Sequence, residues 1–161
     1  MNLSISLTHD AGMLKQCALL MCQSEPWKTL KRDFNGCMEA FQGEYKEIYV
    51  ATAGGSISGF AILQMAGSFK GYIQTICVSP EHRGKGIGSA ILTFCEERIF
   101  RESPNVFMCV SSFNTEAAKL YYRLGYVQVG ELLNFIVQGY SEILLRKTTG
   151  PLAEFRTKEE R

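Results

Sequence analysis

Gly84, Gly86 and Gly88 stand at alternate positions in the run SPEHRGKGIGSAIL, residues 79–92, with Arg83 and Lys85 beside them. Glycine loses the most backbone freedom on folding, so three in one loop mark a place where bare main chain is needed. Successive N–H groups in such a turn converge on an anion. The apolar helix that should follow adds unsatisfied N–H donors and the positive end of its dipole. The chemistry is that of a pyrophosphate or similar group, held by Arg83, Gly84, Lys85, Gly86, Ile87, Gly88 and Ser89.

Two common phosphate loops do not fit. A G-x-x-x-x-G-K-[ST] loop would need glycine at Ser79 and a hydroxyl at Gly86. The dinucleotide fingerprint G-x-G-x-x-G meets Ser89 if started at Gly84, and Ile91 if started at Gly86. The six cysteines (Cys17, Cys22, Cys37, Cys77, Cys95 and Cys109) contain no C-x-x-C spacing, and the only histidines are His9 and His82. Most of these cysteines lie in apolar runs, where cysteine acts as a small buried hydrophobe. No metal site and no disulfide are expected, and a reducing compartment is favoured.

The loop resembles the signature Q/R-x-x-G-x-G/A of the GNAT superfamily of N-acetyltransferases, with Arg83, Gly86 and Gly88 in its positions. Downstream, NTEAAKLYYRLGYVQVG resembles that family's second motif, N-x-x-A-x-x-[LF]-Y-x-x-x-G-[FY]. Asn114, Ala117, Leu120, Tyr121, Gly125 and Tyr126 match it. The two motifs occur in the family's order, and the likeness is good over residues 45–130.

The resemblance implies acetyl-coenzyme A as co-substrate, with its pyrophosphate on the glycine loop. It implies that main-chain groups of Ile76, Cys77 and Val78 bond the pantetheine arm, and that Asn114 and Ala117 flank it. It implies that Tyr121 gives a proton to the leaving thiolate. A main-chain amide, taken as that of Val78, would stabilise the carbonyl oxygen as it becomes negative.

The resemblance also implies N-acetyl transfer to a primary amine, on a small molecule, a protein N-terminus or a lysine. The rival reading is a non-catalytic domain that binds acyl-coenzyme A as a sensor. The fourth strand, YIQTICVS, carries no carboxylate to serve as general base. Glu25 and Glu142 are loop or strand-end carboxylates that could face an acceptor, although glutamate is by habit a solvated surface residue. A water chain to bulk would serve equally, and the base is unassigned. Trp27 and Tyr140 are candidates for the walls of an acceptor pocket.

These residues need elements to hold them. LSISLT alternates as a strand, and residues 11–24 carry apolar groups at helical spacing. A second amphipathic helix is expected over residues 29–42. Gly54-Gly55 suits a tight hairpin between the two β-rich runs of residues 46–67 that flank it. A strand over 72–79, a helix over 87–100 and a strand over 105–111 form a strand–helix–strand unit with parallel pairing. A helix over 115–124 stops at Gly125, and strands at 126–132 and 134–146 close the chain. The fold class is α/β: a single domain, residues 1–147, with a GNAT-like mixed and largely antiparallel sheet flanked by helices. Residues 148–161 form a polar tail.

The 161 residues are 46% apolar and 20% charged, with a formal charge of +1. Such a balance argues against a sequence-independent nucleic-acid partner. No run approaches the ~20 apolar residues of a membrane span, and the N-terminus lacks a signal-peptide pattern. A cytoplasmic protein is expected, with no membrane partner and with a homodimer kept open.

Overall fold

The computed structural model describes residues 2–160. One seven-stranded sheet runs in the order β1-β2-β3-β4-β5-β7-β6. Its strands are β1 (Leu3–Leu7), β2 (Lys46–Ala53), β3 (Ser56–Gln64), β4 (Tyr72–Val78), β5 (Asn105–Ser111), β6 (Val127–Leu133) and β7 (Ser141–Thr148). Every neighbouring pair is antiparallel except β4 with β5. The helices are α1 (Ala11–Cys22), α2 (Phe34–Glu39), α3 (Ile87–Ile99) and α4 (Thr115–Arg123). This is the mixed, largely antiparallel α/β domain expected.

Strand side chains alternate between faces, and the sheet separates two cores accordingly. On one face Ala61 and Leu63 join Ile91, Leu92 and Cys95 of α3, with Ala117 and Tyr121 of α4 packed alongside. On the other, Phe60, Ile62 and Cys77 join Cys17 and Met21 of α1 and Cys37 of α2. β3 is buried on both faces, which is why FAIL reads as an unbroken apolar run. Gly59 is dictated by this packing. A Cβ there would lie 2.6 Å from the Cys77 carbonyl oxygen and 2.8 Å from Ile91 Cδ1.

Two expected elements are shorter than the sequence pattern suggests. α2 begins only at Phe34, because Asp33 caps it by accepting from Gly36 N–H at 2.8 Å and Lys31 takes a left-handed φ of 58°. The last strand starts at Ser141 rather than at 134. Asn134 has φ 53°, and its Oδ1 accepts from Gly139 N–H at 2.8 Å, so residues 134–140 form a closed turn. The last strand also runs through Thr148, and Thr149 N–H donates to Pro104 O at 2.9 Å. The polar tail beyond contains two short 3-10 turns. No helix among the described residues is long and apolar enough to cross a membrane.

Candidate active site

The single parallel contact is also the weakest seam of the sheet. β4 and β5 pair only at Tyr72 with Phe107 and Ile73 with Met108. Beyond those pairs the strands part. The register between β3 and β4 shifts at Ile62/Leu63, which makes Gln74 an extra residue on β4. Such a bulge bends its strand and increases its twist, and here it lies where the separation begins. Below it the strands are held close. At Gly71, N-terminal to β4, a Cβ would stand 2.5 Å from Asn105 O.

The wedge between the strands has two compartments. Its deeper part is a cavity of about 120 Å³, lined among others by Ile76, Cys109, Ser111, Asn114, Tyr121 and Glu142. The cradle at its outer end, about 360 Å³, is lined by Val78, His82, Arg83, Gly84, Gly86, Ile87, Gly88, Ser89, Leu120 and Arg123.

Most of the glycine loop expected from sequence lines this cradle. Gly86 occupies the N-cap of α3 with φ 79°, a left-handed conformation that a side chain would strain. The first amides of α3 therefore open toward the cradle without a capping side chain. Arg83 Nε donates to Val78 O at 3.2 Å, fixing the guanidinium beside the loop. Lys85 is exposed next to it. Arg123, the last residue of α4, brings a second guanidinium that sequence reasoning missed. Its signal was a basic residue two positions before a helix-stopping glycine, Gly125.

The amide directions on β4 follow from its pairing with β3. Ser79 N–H donates to Ser58 O at 2.9 Å, and Ser58 and Ser79 lie opposite each other in the register. Hydrogen-bonded and non-bonded pairs alternate along an antiparallel ladder. Cys77 is thus bonded to Phe60, whereas Ile76 and Val78 turn their main-chain groups into the wedge. This corrects one expectation: Cys77 faces β3 with its main chain, and its side chain is buried in the α1 core. Cys77 lies behind the wall of the wedge. Ile76 and Val78 also divide between the two compartments. Ile76 lines the cavity that contains Tyr121, while Val78 lines the cradle, two strand residues or roughly 7 Å farther on.

Tyr121 projects from α4 into the cavity, its ring against Tyr126 at a centroid distance of 6.1 Å. Burial pushes its hydroxyl up to about 12, so it stays protonated near neutrality. Asn114 caps the same helix and makes no side-chain cap bond, leaving its amide to the cavity it lines. Ala117 packs with the sheet core under α4.

The two glutamates separate. Glu25 is exposed and accepts from Thr29 N–H at 3.1 Å. Glu142, contrary to the habit of glutamate, is only 6% exposed and lines the cavity. It arrives there because Ser111 of β5 lies opposite it on β7, and Ser111 Oγ donates to its Oε1 at 2.6 Å. Trp27 also lines the cavity, whereas Tyr140 packs edge-on against Phe113 at 4.8 Å outside it. Among the described residues no cluster of three His, Cys, Asp or Glu side chains could hold a metal ion. All six cysteines are free thiols.

Comparison with known proteins identifies the family and the fold. The family model described as acetyltransferase (GNAT) matches residues 15–126. The chain is 32% identical over 114 residues to an uncharacterized N-acetyltransferase of Methanocaldococcus jannaschii, covering 65% of this chain and 70% of that protein. Its fold is similar to the ribosomal-protein-S18-alanine N-acetyltransferase of Escherichia coli, with a TM-score of 0.73, 19% identity and coverage of 96% and 99% of the two chains. An aminoglycoside 6'-N-acetyltransferase complexed with coenzyme A gives a TM-score of 0.72, 15% identity and coverage of 94% and 98%.

Proposed function

The chain belongs to the acetyltransferase (GNAT) family, and on that premise we propose that it moves an acetyl group from acetyl-coenzyme A directly to a primary amine. The observation that carries this reading is the wedge between β4 and β5, with a basic glycine cradle at one end and a buried tyrosine at the other.

The residues present fit an elongated thioester bearing a pyrophosphate. The amides that open α3, with Arg83, Lys85 and Arg123, would hold the phosphates. Main-chain groups of Ile76 and Val78, turned into the wedge, would bond an extended arm, and Asn114 would flank it. Acetyl-coenzyme A supplies the activated acetyl group. Ile76 N–H, in the compartment of Tyr121, would stabilise the carbonyl oxygen as it gains charge; losing such a donor costs about 2.7–4 kcal/mol. The sequence reading put that role on Val78, but Val78 lies with the cradle. Tyr121, protonated at working pH, would donate to the departing sulfur. Holding both substrates in line supplies much of the remaining acceleration.

A reducing, cytoplasmic setting accords with six unpaired thiols. Incubation with acetyl-coenzyme A and a panel of amines, followed by release of coenzyme A thiol and the mass of the acetylated product, tests the reading. Acetylated amine is expected. Coenzyme A binding with no turnover on any amine would favour the sensor instead.

A further inference from the structure

We infer that the acceptor is a singly charged primary amine on an apolar body, and that Glu142 receives its ammonium group and takes its proton. This rests on the acetyl-transfer reading above and deepens it.

Among the described residues, Glu142 is the one charged side chain that lines the cavity. It is 6% exposed, and the contact it makes is a neutral one, from Ser111 Oγ. A carboxylate taken out of water without a cation is costly, and among the described residues no lysine, arginine or histidine lines the cavity to pair with it. Tyr72 of β4 and Cys109 of β5 share the wall, and burial holds both toward their neutral forms. The ammonium group of an acceptor would supply the positive charge that this wall lacks. Burial also raises the Glu142 carboxyl above its ordinary range, which makes its carboxylate a better proton acceptor than a surface glutamate.

Besides the uncharged Gln74 and Thr75 of β4, the lining has an apolar side: Pro26, Trp27 and Leu30 from the segment between α1 and α2, and Phe135 and Ile136 from the turn between β6 and β7. Phe135 is 63% exposed and Ile136 37% exposed. Apolar side chains left at the mouth of a cavity suit an apolar occupant. A polyamine would set its second ammonium against this wall with no carboxylate to meet it.

The protons balance. Glu142 takes one from R–NH3+, and the nitrogen lone pair forms the C–N bond as the C–S bond breaks. Sulfur receives the proton of Tyr121, which is refilled by the second proton leaving nitrogen. The products are amide, thiol and one proton that Glu142 returns to water.

Three acceptors test this by thiol release: 2-phenylethylamine, a peptide with N-terminal phenylalanine, and spermidine. One of the two apolar amines should exceed spermidine in kcat/KM by roughly tenfold or more, and which one does so separates a free amine from a peptide source. With saturating coenzyme A, the preferred apolar amine should change the fluorescence of Trp27, the sole tryptophan. Glu142→Gln should lower kcat/KM for that amine by roughly 10²–10⁴-fold while leaving coenzyme A affinity unchanged. Phe135→Ala, on an exposed turn, should raise KM for the same amine and leave kcat near normal; it decides the matter if Glu142→Gln does not fold. Preference for spermidine, full activity of Glu142→Gln, or acetylation of spermidine with neither apolar amine acetylated would overturn the inference alone. Coenzyme A binding with no amine acetylated would overturn the acetyl-transfer reading with it. Absence of coenzyme A binding would sink the acetyl-transfer reading as well.

Discussion

At Tyr121 a single oxygen atom separates a catalytic acid from a core residue. Its ring packs against the sheet and Tyr126, and among the described residues its hydroxyl makes no hydrogen bond. Tyr121→Phe should therefore slow acetyl transfer by roughly 10²–10⁴-fold, with thermal stability and coenzyme A affinity nearly unchanged because no buried partner is orphaned. Steady-state kinetics with calorimetry checks this, and near-normal turnover when chemistry is rate-limiting removes Tyr121 from the mechanism. Since burial holds the hydroxyl up to about 12, no alkaline loss of rate below that range should come from Tyr121. Tyr121, Gly86 and Arg83 were legible because motif spacing survives on a short stretch of chain. Glu142 was not. Its burial depends on the pairing of Ser111 with Glu142 across 31 positions, a register no local pattern encodes. The separation of Ile76 from Val78 was hidden for a similar reason, since it follows from the phase of the ladder with β3.

The elements around the wedge respond differently to two glycine replacements. Gly88 has an ordinary φ, and an added Cβ would meet Val78 Cγ2 at 3.5 Å, a normal contact. Gly88→Ala should fold with little change in melting temperature yet weaken coenzyme A binding, because its methyl occupies the cradle. Gly59→Ala should instead destabilise the protein by about 1–3 kcal/mol through overpacking of α3 against β3 and β4. Chemical denaturation and calorimetry on the two variants should give these opposite patterns; equal behaviour would show that the loop is only a connector. Most elements were readable from periodicity, but residues 134–140 were not. NFIVQGY has the composition of a strand, and only the left-handed φ of Asn134 and its bond to Gly139 turn it into the cavity's outer wall. In α2 the capping of Asp33 outweighed an apolar spacing that reached back to Leu30.

For the whole molecule, burial pushes the thiols of Cys17, Cys77 and Cys95 up to about 12 each. An unfolded cysteine ionises near 8.5. The native state therefore keeps protons that the unfolded chain releases, and stability falls as pH rises from about 8.5 toward 12. The slope is at most about 1.4 kcal/mol per pH unit for each thiol. Scanning calorimetry should show the melting temperature declining between pH 8 and 10; a flat profile would mean these thiols are not buried as described. In the proposed complex, acetyl-coenzyme A lies in the wedge of β4 and β5 with its phosphates on the loop before α3. Amide hydrogen exchange with and without acetyl-coenzyme A tests it most directly. Exchange should slow in peptides covering residues 76–90 and 111–123 and stay unchanged in β1 and β2. Binding that protects other segments, or no protection at saturating acetyl-coenzyme A, would contradict the account.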